Sequence, residues 1–274
     1  MAAANDTAHL LGHVADQEVF ELPFGIHIPI PQPLAEFGVH ITKFMLLEVV
    51  AAALIAAAFI GLARRIADGR PPKGRLWNFL EAVILYMRDE VIRPAIGGAK
   101  DAEPFLPLLW TVFLFVLFCN LLGMVPWMGS ATGAMATTAV MAALMFFVTV
   151  GTGMYYFGPL GFLKNQVPHM ELPLPIAIVL IPMLFVIEIF GLLVKHFVLA
   201  VRLLANMFAG HVVLVVIMSF IVQTARTHYA WFVWPAALFG ATFISLLELF
   251  VAFLQAYIFT FLAAIFIGMA RHPH

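Results

Sequence analysis

Two long apolar stretches, residues 174–222 and 231–270, constrain the fold of this chain more than any other feature of its sequence. As continuous helices they would extend about 73 and 60 Å at a rise of 1.5 Å per residue. The hydrocarbon core of a bilayer is only about 30 Å thick, and neither stretch contains a turn sequence that would divide it into two spans. We therefore expect two single helices that cross a membrane at a steep tilt.

The composition agrees with a membrane protein. Hydrophobic residues make up 64% of the 274 residues and charged residues only 11%, against about a quarter charged in an ordinary soluble domain. A soluble fold of this size cannot bury so much apolar surface, which excludes a soluble enzyme. The net charge of -1 provides no basic surface for a nucleic acid. The single cysteine, Cys119, excludes an internal disulfide and a cysteine-based metal site, and we expect no cofactor.

Three shorter apolar runs and one amphipathic segment complete the predicted membrane part. Leu76, Phe79 and Val83 recur at helical spacing, which predicts an interfacial helix over residues 76–93. Residues 158–173 are predicted to form a loop because they contain several prolines. The predicted fold is an all-α polytopic membrane protein with five transmembrane helices, the last two long and strongly tilted. The predicted spans are residues 44–63, 105–128, 134–157, 174–222 and 231–270.

The first 42 residues differ from the rest of the chain. They contain no Lys or Arg, several acidic side chains and prolines that break helices. We therefore predict an N-terminal extramembrane arm over residues 1–42 and a single membrane domain over residues 43–274. The histidines in the arm raise the question of a metal site, but scattered surface histidines are the better reading.

The distribution of basic residues predicts the orientation in the membrane. Residues 64–104 carry eight Lys or Arg side chains, and Lys164 and Arg271 lie on the same predicted side. The opposite side carries Lys43 and Arg226. Since basic residues collect on the cytoplasmic side, we expect the N-terminus outside and the C-terminus in the cytoplasm.

Several ionisable or polar side chains lie inside the predicted spans, where a charge costs about 2.5 to 3.5 kcal/mol on insertion scales. Glu188, Lys195 and Arg202 are spaced seven residues apart, which places them along one stripe of a helix. His211 is nine residues beyond Arg202 and falls on the opposite face. The polar or ionisable residues in the spans are Glu48, Asn120, Glu188, Lys195, His196, Arg202, Asn206, His211, Glu248 and Gln255.

An antiparallel pairing of the last two spans aligns these residues. It places Gln255 opposite Arg202, and Glu248 opposite His211. Two groups that can be neutralised, at one depth in a membrane, suit a proton relay, although Glu248 and His211 also suit a purely structural pair. Arg202 cannot relay a proton because a guanidinium is not deprotonated at accessible pH, but it holds a fixed positive charge.

Other polar residues leave alternatives open. Glu48 and Lys195 are near span ends and are expected to extend toward the interface. Asn120 either bonds to a neighbouring helix or has a functional role. The same antiparallel register, extended further, places Glu188 near Arg271.

Three motifs in the sequence resemble one known family. Residues 201–211, V-R-L-L-A-N-M-F-A-G-H, closely resemble the R-L-x-x-N-x-x-A-G signature of subunit a of F-type ATP synthases. Residues 254–259, L-Q-A-Y-I-F, resemble its L-Q-A-x-I-F segment. Residues 120–126, N-L-L-G-M-V-P, are similar to its N-L-x-x-x-x-P element. The resemblance extends from about residue 40 to the end of the chain.

The resemblance implies a stator subunit that faces a ring of c subunits and contacts the peripheral-stalk subunit b in the lipid bilayer. Protons, or else Na⁺, would pass through two offset half-channels and drive rotation of the ring. The chain itself would not be the catalyst, and it contains no G-x-x-x-x-G-K-[ST] loop for a nucleotide. By resemblance Arg202 separates the half-channels. The residues implied along the proton path are His211, Glu248, Asn206, Gln255, Glu188 and Asn120.

Two other functions remain open from the sequence. A self-contained ion channel or transporter would conduct ions without a partner ring, with Glu248 and His211 lining its path. A structural membrane anchor would keep Arg202 in a buried salt bridge. The expected location is a bacterial inner membrane, with the mitochondrial inner membrane as the alternative.

Overall fold

The structure is a computed structural model that describes residues 19–22, 26–32, 40–67, 73–125, 128–165, 174–224 and 227–272. Within these residues helices dominate, and one short antiparallel hairpin precedes them. The strands of the hairpin are β1 (Val19–Leu22) and β2 (Ile26–Pro29), with Val19 opposite Pro29. The α-helices are α1 (Lys43–Ile66), α2 (Arg75–Tyr86), α3 (Arg93–Ile96), α4 (Ala99–Ala102), α5 (Leu106–Gly123), α6 (Met135–Asn165), α7 (Leu174–Thr224) and α8 (Ala230–Arg271).

Five helical segments in the described part of the chain are long and apolar enough to cross a membrane. The predicted all-α membrane fold with five spans is therefore confirmed. The two long stretches form single helices of 51 and 42 residues, α7 and α8, without an internal turn. The segments with span character are Lys43–Ile66, Ala99–Gly123, Met135–Leu163, Leu180–Thr224 and Ala230–Arg271.

The predicted interfacial helix is present as α2, which begins at Arg75 and buries none of its residues. It continues through a π-helical turn, Met87–Ile92, in which Met87 and Val91 are buried. At its start the Trp77 ring lies against Gly61 of α1, where a methyl group would collide with the indole. Its exposed apolar side chains, Leu76 and Phe79 among them, suit the membrane interface.

The third span differs from its prediction at one end. The sequence predicts a loop from residue 158, whereas helical structure continues to Asn165. Gly158 interrupts it with φ of +73°, a left-handed conformation that glycine adopts without a steric cost. Pro159 then begins the second piece, where its missing N–H is not needed. The helix therefore breaks where the prolines predict, but a short helix takes the place of the first part of the loop, and the rest of the predicted loop, residues 166–173, lies outside the described residues.

The chain divides into two compact units, and both α7 and α8 contribute residues to each. The first unit contains the described residues of Met1–Ile60, Leu114–Thr137 and Leu203–Ala256. Its core cluster includes Phe44 and Leu47 at helical spacing on α1 and Cys119 on α5. The core forms because one apolar stripe of α1 meets the apolar end of α5.

The second unit contains the described residues of Gly61–Phe113, Thr138–Arg202 and Tyr257–His274. In this unit Gly268 of α8 lies so close to the backbone of Ala95 that a methyl group would collide with it. Ala264 and Ile267 on the same helix are fully buried. Small residues on α8 therefore allow a close backbone approach in this unit.

Candidate functional site

Asn206 and Gln255 join α7 to α8 by a direct hydrogen bond. The Nδ2 atom of Asn206 donates to Oε1 of Gln255 at 2.7 Å. Gln255 is 2% exposed, whereas Asn206 is exposed. The bond places one end of this amide pair inside the first unit and the other at its surface.

In the first unit, each ring nitrogen of His211 lies at hydrogen-bond distance from a backbone carbonyl oxygen. Its Nδ1 is 2.8 Å from the carbonyl oxygen of Met207, one turn earlier on α7. Its Nε2 is 2.9 Å from the carbonyl oxygen of Gly123 at the end of α5. A carbonyl oxygen only accepts, and a neutral imidazole donates through one nitrogen. Both contacts are therefore satisfied together only when both ring nitrogens carry a proton.

Glu248 lies beside this histidine without a direct ion pair to it. Both side chains, with Asn206, line one small cavity of about 10 Å³. The Oε1 atom of Glu248 is buried and has no hydrogen-bond partner among the described residues. Its carboxylate packs on Gly210, where a methyl group would collide with it. A glycine next to His211 therefore gives Glu248 its place against α7.

Asn120 takes part in a buried network rather than facing the cavity. Its Nδ2 donates to the carbonyl of Ala252 on α8 at 3.3 Å, and its Oδ1 accepts from Thr132 at 2.7 Å. Ser130 and Thr132 are joined through their hydroxyls at 2.8 Å. The sequence predicts a role for Asn120 but no role for Ser130 or Thr132. These two residues lie in a short link between spans, which the sequence identifies only as a turn.

Arg202 is half-buried on α7, four residues before Asn206. Within the described part of the chain it has no hydrogen-bond or ion-pair partner in the structure. The predicted pairing of Arg202 with Gln255 stays a prediction. A fixed charge in an apolar helix that has no partner among the described residues is available to a charge from elsewhere.

Glu188 lies in the second unit, and its predicted approach to Arg271 is wrong. Its carboxylate is 3.6 Å from Nζ of Lys195, two turns later on α7. Arg271 instead pairs with Asp101, through Oδ1 at 2.5 Å and the backbone carbonyl at 3.0 Å. Each charge finds a nearer partner than the extended register offered, which explains the failure.

Two other polar residues of the spans, Glu48 and His196, have defined contacts in the structure. Glu48 accepts a hydrogen bond from Thr137 at 2.6 Å, so it bonds within its own unit rather than only extending outward. His196 is 2% exposed, and its Nδ1 lies 2.9 Å from the Leu192 carbonyl. Its ring packs between Phe146 and Phe266 in the second unit. The sequence shows this histidine but not its aromatic surroundings.

The segment after α2 carries a charged cluster outside the spans. Asp89 accepts from Arg88 at 2.9 Å and from Arg93 at 2.5 Å. The Arg88 hydrogen bond is the main reason that the pKa of Asp89 lies below its ordinary value. In the described ranges no three metal-ligating side chains come together.

Comparison with known proteins adds to this geometry. The family model described as ATP synthase A chain matches residues 45–268. The chain belongs to the ATP synthase A chain family. It is 38% identical over 268 residues to ATP synthase subunit a 2 of Chlorobium luteolum, covering 95% of this chain and 74% of the relative.

Further relatives are similarly close. ATP synthase subunit a of Chloroherpeton thalassium is 37% identical over 263 residues, with 94% of this chain and 75% of the relative covered. ATP synthase subunit a of Myxococcus xanthus is 39% identical over 230 residues, with 84% and 72% covered. This member of the ATP synthase A chain family is therefore a non-catalytic membrane subunit with a part in proton transport, from a bacterial membrane.

Proposed function

We propose that this family member is the proton-translocating stator of a rotary ATP synthase. It forms two offset half-channels against a ring of c subunits and couples proton flow to rotation of the ring. Each proton that crosses gains about 2.3 kcal/mol per 100 mV of membrane potential. Membership of the family supports the assembly, and the site described above supplies the residues.

One observation carries the proposal: His211 and Glu248 line the same small cavity. Both side chains change charge when they exchange a proton, which a relay in an apolar environment requires. The cavity, at about 10 Å³, is close to the smallest space that holds one water molecule. One water there would bridge the carboxylate to the imidazole. We assign this pair to the outer half-channel.

Arg202 has the role of the fixed charge between the half-channels. It has no ion-pair partner among the described residues, and it lies on α7, where only 17% of the residues in the most apolar stretch are buried, against 50% in α8. So much exposed apolar surface needs lipid or another protein to cover it. Unit charges 4 Å apart at an effective dielectric constant of 20 attract by about 4 kcal/mol. Arg202 would thus hold a passing ring carboxylate in its ionised form.

The other polar residues extend the path on either side. Asn206 and Gln255, joined by their hydrogen bond, lie where the outer half-channel meets the ring. Glu188, with Lys195 beside it, belongs to the cytoplasmic exit. Asn120 supports the outer half-channel. The N-terminus is outside the bacterial inner membrane, the C-terminus is in the cytoplasm, and subunit b is the further partner.

A reconstitution experiment separates this function from a self-contained channel. The purified chain alone and the whole complex are placed in liposomes, and proton and sodium fluxes are measured separately. The stator role predicts no flux from the chain alone and ATP-dependent flux from the complex. Flux from the chain alone would favour the channel.

The Arg202→Lys complex tests the remaining alternative, a structural anchor. The stator role predicts loss of coupled flux because lysine is a compact charge of different reach that is able to lose its proton. An anchor would keep coupled flux, since the variant keeps the positive charge.

A further inference from the structure

A chain of hydrogen bonds crosses the first unit from the link after α5 to the backbone of α8. Thr132 donates to Oδ1 of Asn120 at 2.7 Å, and Asn120 donates from Nδ2 to the Ala252 carbonyl at 3.3 Å. Because the Thr132 proton is used in this way, Ser130 donates to Thr132, at 2.8 Å. All three bonds therefore run in one direction.

The burial of this network shows what it does. Asn120 and Thr132 are 0% exposed and Ser130 is 3% exposed. A buried acceptor that loses its donor is costly, so each member depends on the next. The network also passes through an amide, which holds its protons, and ends on a helix carbonyl. The network therefore fixes the positions of the groups that it joins and does not conduct protons.

The network reaches both members of the His211 and Glu248 pair. Ala252, its last acceptor, lies one turn after Glu248 on α8. At the other end Ser130 packs so closely on Gly123 that a methyl group there would collide with it. The carbonyl of Gly123 is the group that contacts Nε2 of His211, at 2.9 Å. One buried turn thus fixes the backbone beside each member of the pair.

We propose that Ser130 and Thr132 are positioning residues which, through Asn120, set the placement of His211 relative to Glu248. The inference rests on the proposed function, in which these two side chains exchange protons. Proton transfer requires hydrogen-bond reach between the groups or through one water. A displacement of α8 by a fraction of an ångström at this level would therefore slow proton transfer without removing either titratable group.

The test compares two changes at Thr132 in membrane vesicles that carry the whole complex. Thr132→Val keeps the shape and removes the hydroxyl, and we expect ATP-driven pumping per assembled complex to fall roughly five- to tenfold. Thr132→Ser restores the hydroxyl and should pump within about twofold of wild type. Equal loss in both variants would overturn the inference, because the hydroxyl would then not matter.

Thr152→Val is the matched control. Thr152 is also buried, and among the described residues its hydroxyl bonds only to the Val148 carbonyl of its own helix. We expect pumping within about twofold of wild type, and pumping by Thr132→Val equal to that of this control would contradict the inference. If Thr132→Val does not assemble, Ser130→Ala decides: a loss of about twofold or more supports the inference, and normal pumping overturns it.

Arg202→Ala in the same vesicles separates the two proposals. If it pumps normally, the stator role itself fails. If it does not pump while Thr132→Val pumps like wild type, only the positioning role fails.

Discussion

Asn206 donates a hydrogen bond to Gln255 at 2.7 Å and so ties α7 to α8 at one level. Asn206 follows Arg202 by one turn in the sequence of α7 and lines the cavity that His211 and Glu248 share. At this contact the two long helices are therefore joined by neutral side chains. A neutral contact here fixes the helices without competing for the charge of Arg202.

The Asn206 to Gln255 bond predicts coupled effects of mutation. Asn206→Leu and Gln255→Leu should each lower the thermal stability of the assembled complex, and the double variant should lose less than the two effects combined. We expect an interaction free energy of about 1 kcal/mol, the usual net value of one hydrogen bond. Strictly additive effects would show that the bond contributes nothing to stability.

Gly210 should tolerate no side chain because the Glu248 carboxylate packs on it. Gly210→Ala should displace Glu248 and reduce ATP-driven pumping roughly tenfold while the chain still assembles. Gly191→Ala is the matched control on the same helix, where a methyl group meets no atom within 4 Å. Similar pumping by the two variants would contradict the close packing at Gly210.

Arg271 should stabilise the second unit more than an ordinary surface arginine. Its guanidinium bonds to two oxygens of Asp101 and lies over the Tyr156 ring at 4.5 Å. Arg271→Gln should cost about 1 kcal/mol more than Arg88→Gln, which removes a more exposed pair with Asp89. Thermal unfolding of the purified complex measures the difference, and equal losses would argue against this anchor.

Asp89 should stay ionised below the ordinary pKa of an aspartate, about 3.9. Because Arg88 lowers its pKa, its contribution to stability is present above that ordinary value and is lost as the pH falls through the lower folded value. Infrared difference spectra between wild type and Asp89→Asn near pH 4 should show a weaker protonated-carboxyl band than an aspartate of ordinary pKa gives. A band as strong as that of an ordinary aspartate would indicate that the arginines do not hold the charge.

Much of the fold could be predicted from the sequence because the thickness of the bilayer fixes the minimum length of a spanning helix. A helix must cross about 30 Å, so the five apolar runs identify the spans and the excess length of α7 and α8 identifies their single-helix character. The break at the end of the third span was predicted, but the helical piece that follows Gly158 and continues to Asn165 was not. Whether a helix resumes after such a break depends on local backbone geometry, which the spacing of residues does not reveal.

The candidate site could be predicted less completely from the sequence. Residue spacing brought His211 and Glu248 to one level, and the structure places both on one cavity. Spacing did not identify the ion-pair partner of Glu188, which is Lys195 on its own stripe of α7 rather than a residue of α8. It also missed Thr132 as a partner of Asn120, because that bond depends on how a short turn folds back between helices.

In the proposed function the charge of Arg202 couples proton flow to ring rotation. The most direct measurement is ATP-driven proton pumping by vesicles whose complex carries Arg202→Ala, with the amount of assembled complex determined beside wild type. If the charge of Arg202 is the coupling element, the variant complex assembles fully and its pumping is abolished. Normal pumping by the assembled variant would leave Arg202 without a role in coupling.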